Sequence, residues 1–321
     1  MPTILLLQNE GVVSNSILGE IKRLAPDYDL WISRDPAEED PDRIKEVEVS
    51  AGGRPPIEIL QSPHLKWHHQ QSAGVDWLFK IENGQELPFT ITNVSGMHAP
   101  QITEHVFGMI LAFARNMVFY HKNQPNKEWR KPQASDLFRL PGKTMLILGV
   151  GAIGSSIARV AKAHEMAVLG IRRRPEKSDS NVDRMGSLFD LDTMLPEADI
   201  VVSVLPRSPG TENVIAAGQF ALMKPNAIII NVGRGSHIDE LAMAEALQSG
   251  QIAGAGLDAF AMEPLPENSP LWEMENVIIS PHCSGLIDDY VNIALEYFVK
   301  NLEQYVKGEP LFNVVDKNLG Y

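Results

Sequence analysis

The 321-residue chain is long enough for one large or two medium domains with a well-buried core. Its 44% hydrophobic and 21% charged residues describe an ordinary globular protein rather than a disordered, collagen-like or coiled-coil one. Lys and Arg number 28 against 41 Asp and Glu, a net charge of −13 that repels nucleic acid and anionic membrane surfaces and argues against either as a partner.

The N-terminus opens on Ile4-Leu5-Leu6-Leu7 with no basic residue before it and Gln8-Asn9-Glu10 directly after, so it reads as a buried strand rather than a signal peptide. Up to residue 98, short apolar runs at 3–7, 30–32, 47–49, 65–68 and 89–93 alternate with polar, helix-like stretches, the pattern of a small α/β domain. The charged run 35–43 reads as a solvated loop. Trp67-His68-His69 does not read as a metal site, because neighbouring strand residues face opposite ways and no third ligand lies close in sequence.

Pro100 then opens a long helix with Ile102, Val106, Ile110, Phe113 and Met117 along one face. Its greasiest part, 107–114, is too short to cross a bilayer and is expected in the core. This helix reads as the connector into a second domain. The expected division is 1–98 with 286–321, and 99–285.

From residue 144 the order becomes strand (144–148), helix (153–164) and strand (167–171), followed by buried-strand candidates at 200–205, 227–232, 255–257 and 277–280. Strands that are apolar throughout and alternate with helices imply a doubly wound parallel sheet covered on both faces. A helix is expected over 288–306, after which the chain end returns to the first domain.

Gly149-Val150-Gly151-Ala152-Ile153-Gly154 lies between the first of these strands and its helix, the context a dinucleotide-binding turn requires. The first glycine permits the tight turn, the second lets backbone approach a pyrophosphate, the third lets the helix pack closely, and the helix start supplies amides. About 20 residues on, where an NAD site places a carboxylate against the ribose 2′-hydroxyl, stand Arg172-Arg173-Arg174. Guanidinium groups there favour a 2′-phosphate, hence NADP(H). Downstream, Asn231-Val232-Gly233-Arg234-Gly235, Leu257-Asp258-Ala259-Phe260 with Glu263-Pro264, and Ser280-Pro281-His282 each fall at the C-terminal end of an expected parallel strand, where such sheets bind ligands.

In that order these motifs resemble the D-isomer-specific 2-hydroxyacid dehydrogenases, over nearly the whole chain, with Ser72-Ala73-Gly74-Val75-Asp76, Asn93, Thr103-Glu104-His105 and Asn313-Val314-Val315 also similar. Arg172 in place of an acidic residue resembles the NADP-dependent glyoxylate/hydroxypyruvate reductase-like branch. The resemblance implies a Rossmann coenzyme domain, a smaller flavodoxin-like substrate domain built from both chain ends, and a homodimer; the single cysteine and the lack of a visible targeting segment point to the cytoplasm. It implies that Arg234 binds the carboxylate and ketone of a 2-keto acid, that His282 gives or takes the proton, and that Glu263 orients His282. The backbone amides of Gly74 and Val75 join Arg234 on the carboxylate. The expected cofactor contacts come from Gly149, Gly151, Ala152, Ile153, Gly154, Arg172, Arg173, Arg174, Leu205, Pro206, Val232, Arg234, Asp258 and His282, with Asp258 near the nicotinamide.

A single cysteine, Cys283, permits no intrachain disulfide and no cysteine-based zinc site, which suits a reducing compartment. It adjoins His282 but has no part in this chemistry. Two other functions fit the same residues: a non-catalytic dinucleotide-sensing protein, and a phosphoglycerate dehydrogenase-like enzyme. The second is disfavoured by the lack of a regulatory domain after the tail.

Overall fold

A computed structural model describes residues 1–320; Tyr321, the last residue of the expected substrate domain, lies outside them. The chain divides into two compact units, one of Met1–His98 with the segment from Ile287 on, the other Ala99–Leu286.

The first unit holds a five-stranded sheet, β1 (Thr3–Leu6), β2 (Asp29–Ile32), β3 (Val47–Gly52), β4 (Trp67–Gln70) and β5 (Thr90–Asn93), in the order β2-β1-β3-β4-β5. All pairs are parallel. Ser14 caps the helix Asn15–Leu24, its hydroxyl accepting from the Ile17 amide, and Ile17 and Ile21 point that helix into the core. The helix Tyr290–Lys307 buries Leu295, Phe298 and Leu302 in the same cluster as Ile4, Leu6 and Trp67, with the Phe298 and Tyr305 rings stacked on Trp67 at 5.1 and 5.3 Å. Beyond it the tail pairs with the edge of β5: Val315 N donates to Ile91 O (2.8 Å) and Asn93 N to Asn313 O (3.1 Å).

In the second unit β6 (Thr144–Leu148), β7 (Ala167–Ile171), β8 (Arg184–Gly186), β9 (Ile200–Ser203), β10 (Ile228–Asn231), β11 (Gly254–Leu257) and β12 (Val277–Ile279) form one parallel sheet, β12-β11-β10-β9-β6-β7-β8. The strand order reverses between β6 and β9, the switch point of a Rossmann sheet. Two clusters cover its faces, one around Leu146, Leu148, Phe220 and Ile229, the other around Met145, Ile147, Ile157, Ile228 and Ile110 of the helix Ala99–Ala114.

Several expected bounds move. The helix from Pro100 does not run through Met117: it ends at Ala114, Asn116 adopts left-handed φ (52°), and Met117 begins a separate short helix, Met117–Asn123, that buries nothing. Asn tolerates that backbone conformation and so permits the break. The expected strand 65–68 lies two residues later, because the polar His69 and Gln70 are buried and paired in the ladder. The last helix starts at Tyr290, after Asp289 in left-handed φ (57°), rather than at 288. β8 has no counterpart among the expected strands.

Candidate active site

In the second unit the polar loops that carry chemistry follow β6, β7, β9, β10, β11 and β12 at their C-terminal ends, as the register of a parallel sheet demands. The turn after β6 needs glycine at 149, where φ is +107° and a Cβ would stand 2.8 Å from the Val204 carbonyl oxygen. At Gly151 a Cβ would meet nothing within 4 Å. That exposed position caps the helix Ala152–Ala163 without any side-chain bond, so the first amides, from Ala152, Ile153 and Gly154, face outward with no acceptor supplied by the cap. An exposed, uncapped helix start beside bare backbone fits a pyrophosphate.

At the end of β7, Arg172 donates its backbone N–H to Gly186 O (2.9 Å) and a guanidinium N–H to Lys177 O (3.0 Å), which holds the side chain along the following loop. Arg173 and Arg174 are exposed. This basic edge suits a phosphate better than a ribose hydroxyl. Leu205 and Val232 are buried, and the Pro206 carbonyl accepts from Thr211 Oγ1 (2.9 Å), so these three shape the loops after β9 and β10 from within.

The loop after β10 is drawn tight. Asn231 Nδ2 donates to Arg234 O (3.0 Å), and the Arg234 amide donates to His237 Nδ1 (3.2 Å), leaving a half-buried guanidinium that donates to Gly233 O (2.9 Å). Gly235 lies against the loop after β11: a Cβ there would sit 1.8 Å from the Phe260 carbonyl carbon and 2.2 Å from Ala261 N. Only glycine allows the two backbones to touch, and that contact places Arg234 beside the loop bearing Glu263.

Glu263 joins that loop to His282. Its Oε1 accepts from Phe260 N (3.0 Å), and its Oε2 lies 2.8 Å from His282 Nδ1. Facing a carboxylate, Nδ1 carries a proton and donates, so Nε2 is the nitrogen turned to other use; it has no protein partner among the described residues. His282 adopts left-handed φ (51°), unusual for a side chain of its size. Asp258 holds it there. That carboxylate is fully buried, with Ser280 Oγ at 2.5 Å and the Cys283 and Ser284 amides donating at 2.9 and 3.0 Å, so the 280–284 loop wraps around it. Burial would push the Asp258 pKa up, but these donors outweigh it and keep the group below the usual carboxylate range.

The structure places Asp258 under the His282 loop, with its oxygens engaged by that loop. A lone Asp after a strand reads the same in sequence whether it faces a ligand or folds back on its own loop. His105 Nε2, 2.9 Å from Ser280 Oγ, supports the same loop; the Thr103-Glu104-His105 stretch stands out in the sequence, but nothing in it points to Ser280. The Cys283 thiol is pushed up by burial and by the Asp258 charge, so it stays protonated and poorly nucleophilic.

In the first unit, Ser72, Ala73 and Gly74 are half-buried and Val75 is buried, on the segment that follows β4. No backbone N–H from 72 to 75 finds a protein acceptor among the described residues.

Residues 107–284 match the profile described as D-isomer specific 2-hydroxyacid dehydrogenase, NAD binding domain. The chain belongs to this family. The dehydrogenase is 32% identical over 289 residues to a glycerate dehydrogenase of Methylorubrum extorquens, covering 87% of this chain and 88% of that protein. It is 34% identical over 275 residues to glyoxylate/hydroxypyruvate reductase B of Pectobacterium carotovorum, 84% of each chain. Its fold superimposes with a TM-score of 0.83 on the D-isomer specific 2-hydroxyacid dehydrogenase of Xanthobacter autotrophicus Py2 solved with NADPH and MES, at 29% identity over 100% of this chain and 99% of that one. The chain is thus an oxidoreductase of the D-isomer-specific 2-hydroxyacid dehydrogenase family, similar to glyoxylate/hydroxypyruvate reductases among others.

Proposed function

We propose that this dehydrogenase interconverts 2-keto acids and D-2-hydroxy acids with NADP(H), acting mainly as a keto acid reductase. The observation that carries the catalytic assignment is the Glu263–His282 pair: one carboxylate, tethered to the Phe260 amide, holds Nδ1 and leaves Nε2 to deliver a proton to the carbonyl oxygen. Arg234 offers a planar fork to the substrate carboxylate and holds the ketone in place. In the first unit, the Gly74 and Val75 amides are donors of the kind that receives a carboxylate. The 149–154 turn would hold the pyrophosphate, and Arg172 with Arg173 or Arg174 the 2′-phosphate. When bound, the nicotinamide supplies or accepts the hydride. Asp258 acts through the His282 loop.

A panel of glyoxylate, hydroxypyruvate, pyruvate and bulkier 2-keto acids, followed at the nicotinamide absorbance with NADPH and NADH, tests this. Turnover with NADPH ahead of NADH is expected; no turnover of any acid refutes the assignment and leaves the sensing role.

We further place the enzyme in the cytoplasm as a homodimer. Among the described residues no helix is long and apolar enough to cross a membrane. Leu111, Met117, Val118, Tyr120 and Trp129 (94% exposed) are exposed apolar side chains of the second unit that a second copy would cover. Light scattering at micromolar concentration checks the dimer, and a monomer contradicts it.

A further inference from the structure

We propose that Ser72, Asn93 and Tyr290 are positioning residues that aim the backbone amides of the 72–75 loop at the substrate carboxylate by holding the loop's carbonyls from the other side. This rests on the reading above that those amides receive the carboxylate.

Three of four successive carbonyls are held by side chains. Tyr290 Oη donates to Gln71 O (2.6 Å), Asn93 Nδ2 to Ala73 O (2.7 Å) and Ser72 Oγ to Gly74 O (2.9 Å). In a planar trans peptide the C=O and the following N–H point in opposite directions. Holding those carbonyls therefore turns the N–H groups of Ser72, Gly74 and Val75 away from the three side chains. None of these N–H groups has an acceptor among the described residues, although Val75 is fully buried. A buried donor without an acceptor is rare and destabilising, and is expected where a ligand brings the acceptor. Successive amides freed in this way suit an anion.

Each holding group is itself locked. Asn93 Oδ1 accepts from Ser95 N (3.0 Å), so its amide nitrogen faces Ala73. Ser72 Oγ accepts from Gln70 Nε2 (2.8 Å), and Gln70 Oε1 accepts from Trp77 Nε1 (3.1 Å), a group that can only donate. The Gln70 orientation and the Ser72 hydroxyl direction follow. Tyr290 gives its one hydroxyl proton to Gln71 and takes a bond from His98 Nε2 (3.1 Å). Burial raises the Tyr290 pKa, so the phenol keeps that proton.

Ser72→Ala and Tyr290→Phe each remove one hydroxyl, while Ser72→Thr restores it. The readouts are KM and kcat for the best keto acid of the panel, Ki for oxamate as a carboxylate-bearing inhibitor, and turnover of methyl pyruvate, which lacks the carboxylate. Thermal unfolding confirms that each variant is folded. Misaiming charge-assisted bonds should raise KM and the oxamate Ki together by about three- to thirtyfold. kcat should change less than KM, Ser72→Thr should return both constants toward wild type, and methyl pyruvate, whose ester accepts only neutral bonds, should lose clearly less turnover than the acid. Unchanged KM and Ki in folded variants would overturn the proposal, as would equal losses for acid and ester. Wild-type enzyme that reduces keto acids without being inhibited by oxamate would instead defeat the carboxylate reading beneath it.

Discussion

Replacing Gly235 with Ala tests whether the active-site loops are held by backbone contact. The added Cβ would lie 1.8 Å from the Phe260 carbonyl carbon, against ordinary contact at 3.4 Å, so the two loops must separate by about 1.6 Å. The atoms it meets are backbone of the 260–261 segment and cannot rotate aside. Overpacking of this kind costs about 1–3 kcal/mol when neighbours can adjust, so about 3 kcal/mol is expected here. For a unit of this size that corresponds to a fall in Tm of about 6–12 °C. The same displacement carries Arg234 away from Glu263 and His282, and a misplacement of about 1 Å can lower a rate by roughly 10²-fold. Differential scanning calorimetry and kcat/KM measured on one preparation check both figures. A variant with Tm within 2 °C (about 0.5–1 kcal/mol) and kcat/KM within about threefold of wild type would refute the contact.

His282→Ala should lower kcat by about 10²- to 10⁴-fold, as loss of a general acid does, with NADPH binding by fluorescence titration nearly intact. Glu263→Gln puts an N–H donor opposite His282 Nδ1 and should lower kcat for keto acid reduction by about tenfold or more in stopped-flow assays. Arg172→Asp with Arg173→Ser should raise the KM for NADPH by about 10- to 100-fold and improve NADH use; an unchanged preference in steady-state kinetics would remove these residues from the 2′-phosphate site. The buried His68 and His69 are held neutral, chiefly by burial, with pKa values pushed down to about 4 and about 3. The unfolded chain binds protons below about pH 6.5 that the folded chain refuses, so stability is full above that pH and drains as pH falls toward 4 and 3. Each histidine accounts for about 2 kcal/mol between pH 6.5 and 5, which urea unfolding followed by fluorescence of the buried Trp31, Trp67 and Trp77 would register. A midpoint independent of pH would contradict it.

The strand-turn-helix at 144–163 and the three loops bearing Arg234, Glu263 and His282 are legible because their chemistry is local: glycines where backbone must turn, charged groups just past apolar strands. Local signals run out at Asn116, where an apolar stripe continues through a helix break, and at β8, an edge strand of three residues that pairs only with β7. Gly235 looks like part of a loop motif, yet its requirement comes from backbone some 25 residues away. Tyr290 and Gln71 lie 219 positions apart, and neither carries a sign of the other. The protein reads worst where one side chain serves a distant carbonyl.

The unit that carries the 72–75 loop is discontinuous, and this bears on how the molecule is made. Its sheet lacks the tail pairing at β5 and the Phe298 and Leu302 packing until the chain after residue 287 has emerged, whereas Ala99–Leu286 is contiguous. Closing a loop of that length carries an entropic penalty that grows slowly with length but must be met before the contacts form. During synthesis the Rossmann unit can mature first while strands β1 to β5 wait with an unpaired edge, exposed to aggregation and to chaperones. Ribosome-stalled chains long enough that residue 286, but not the last helix, has left the ribosome should resist proteolysis in the second unit and be cut in the first.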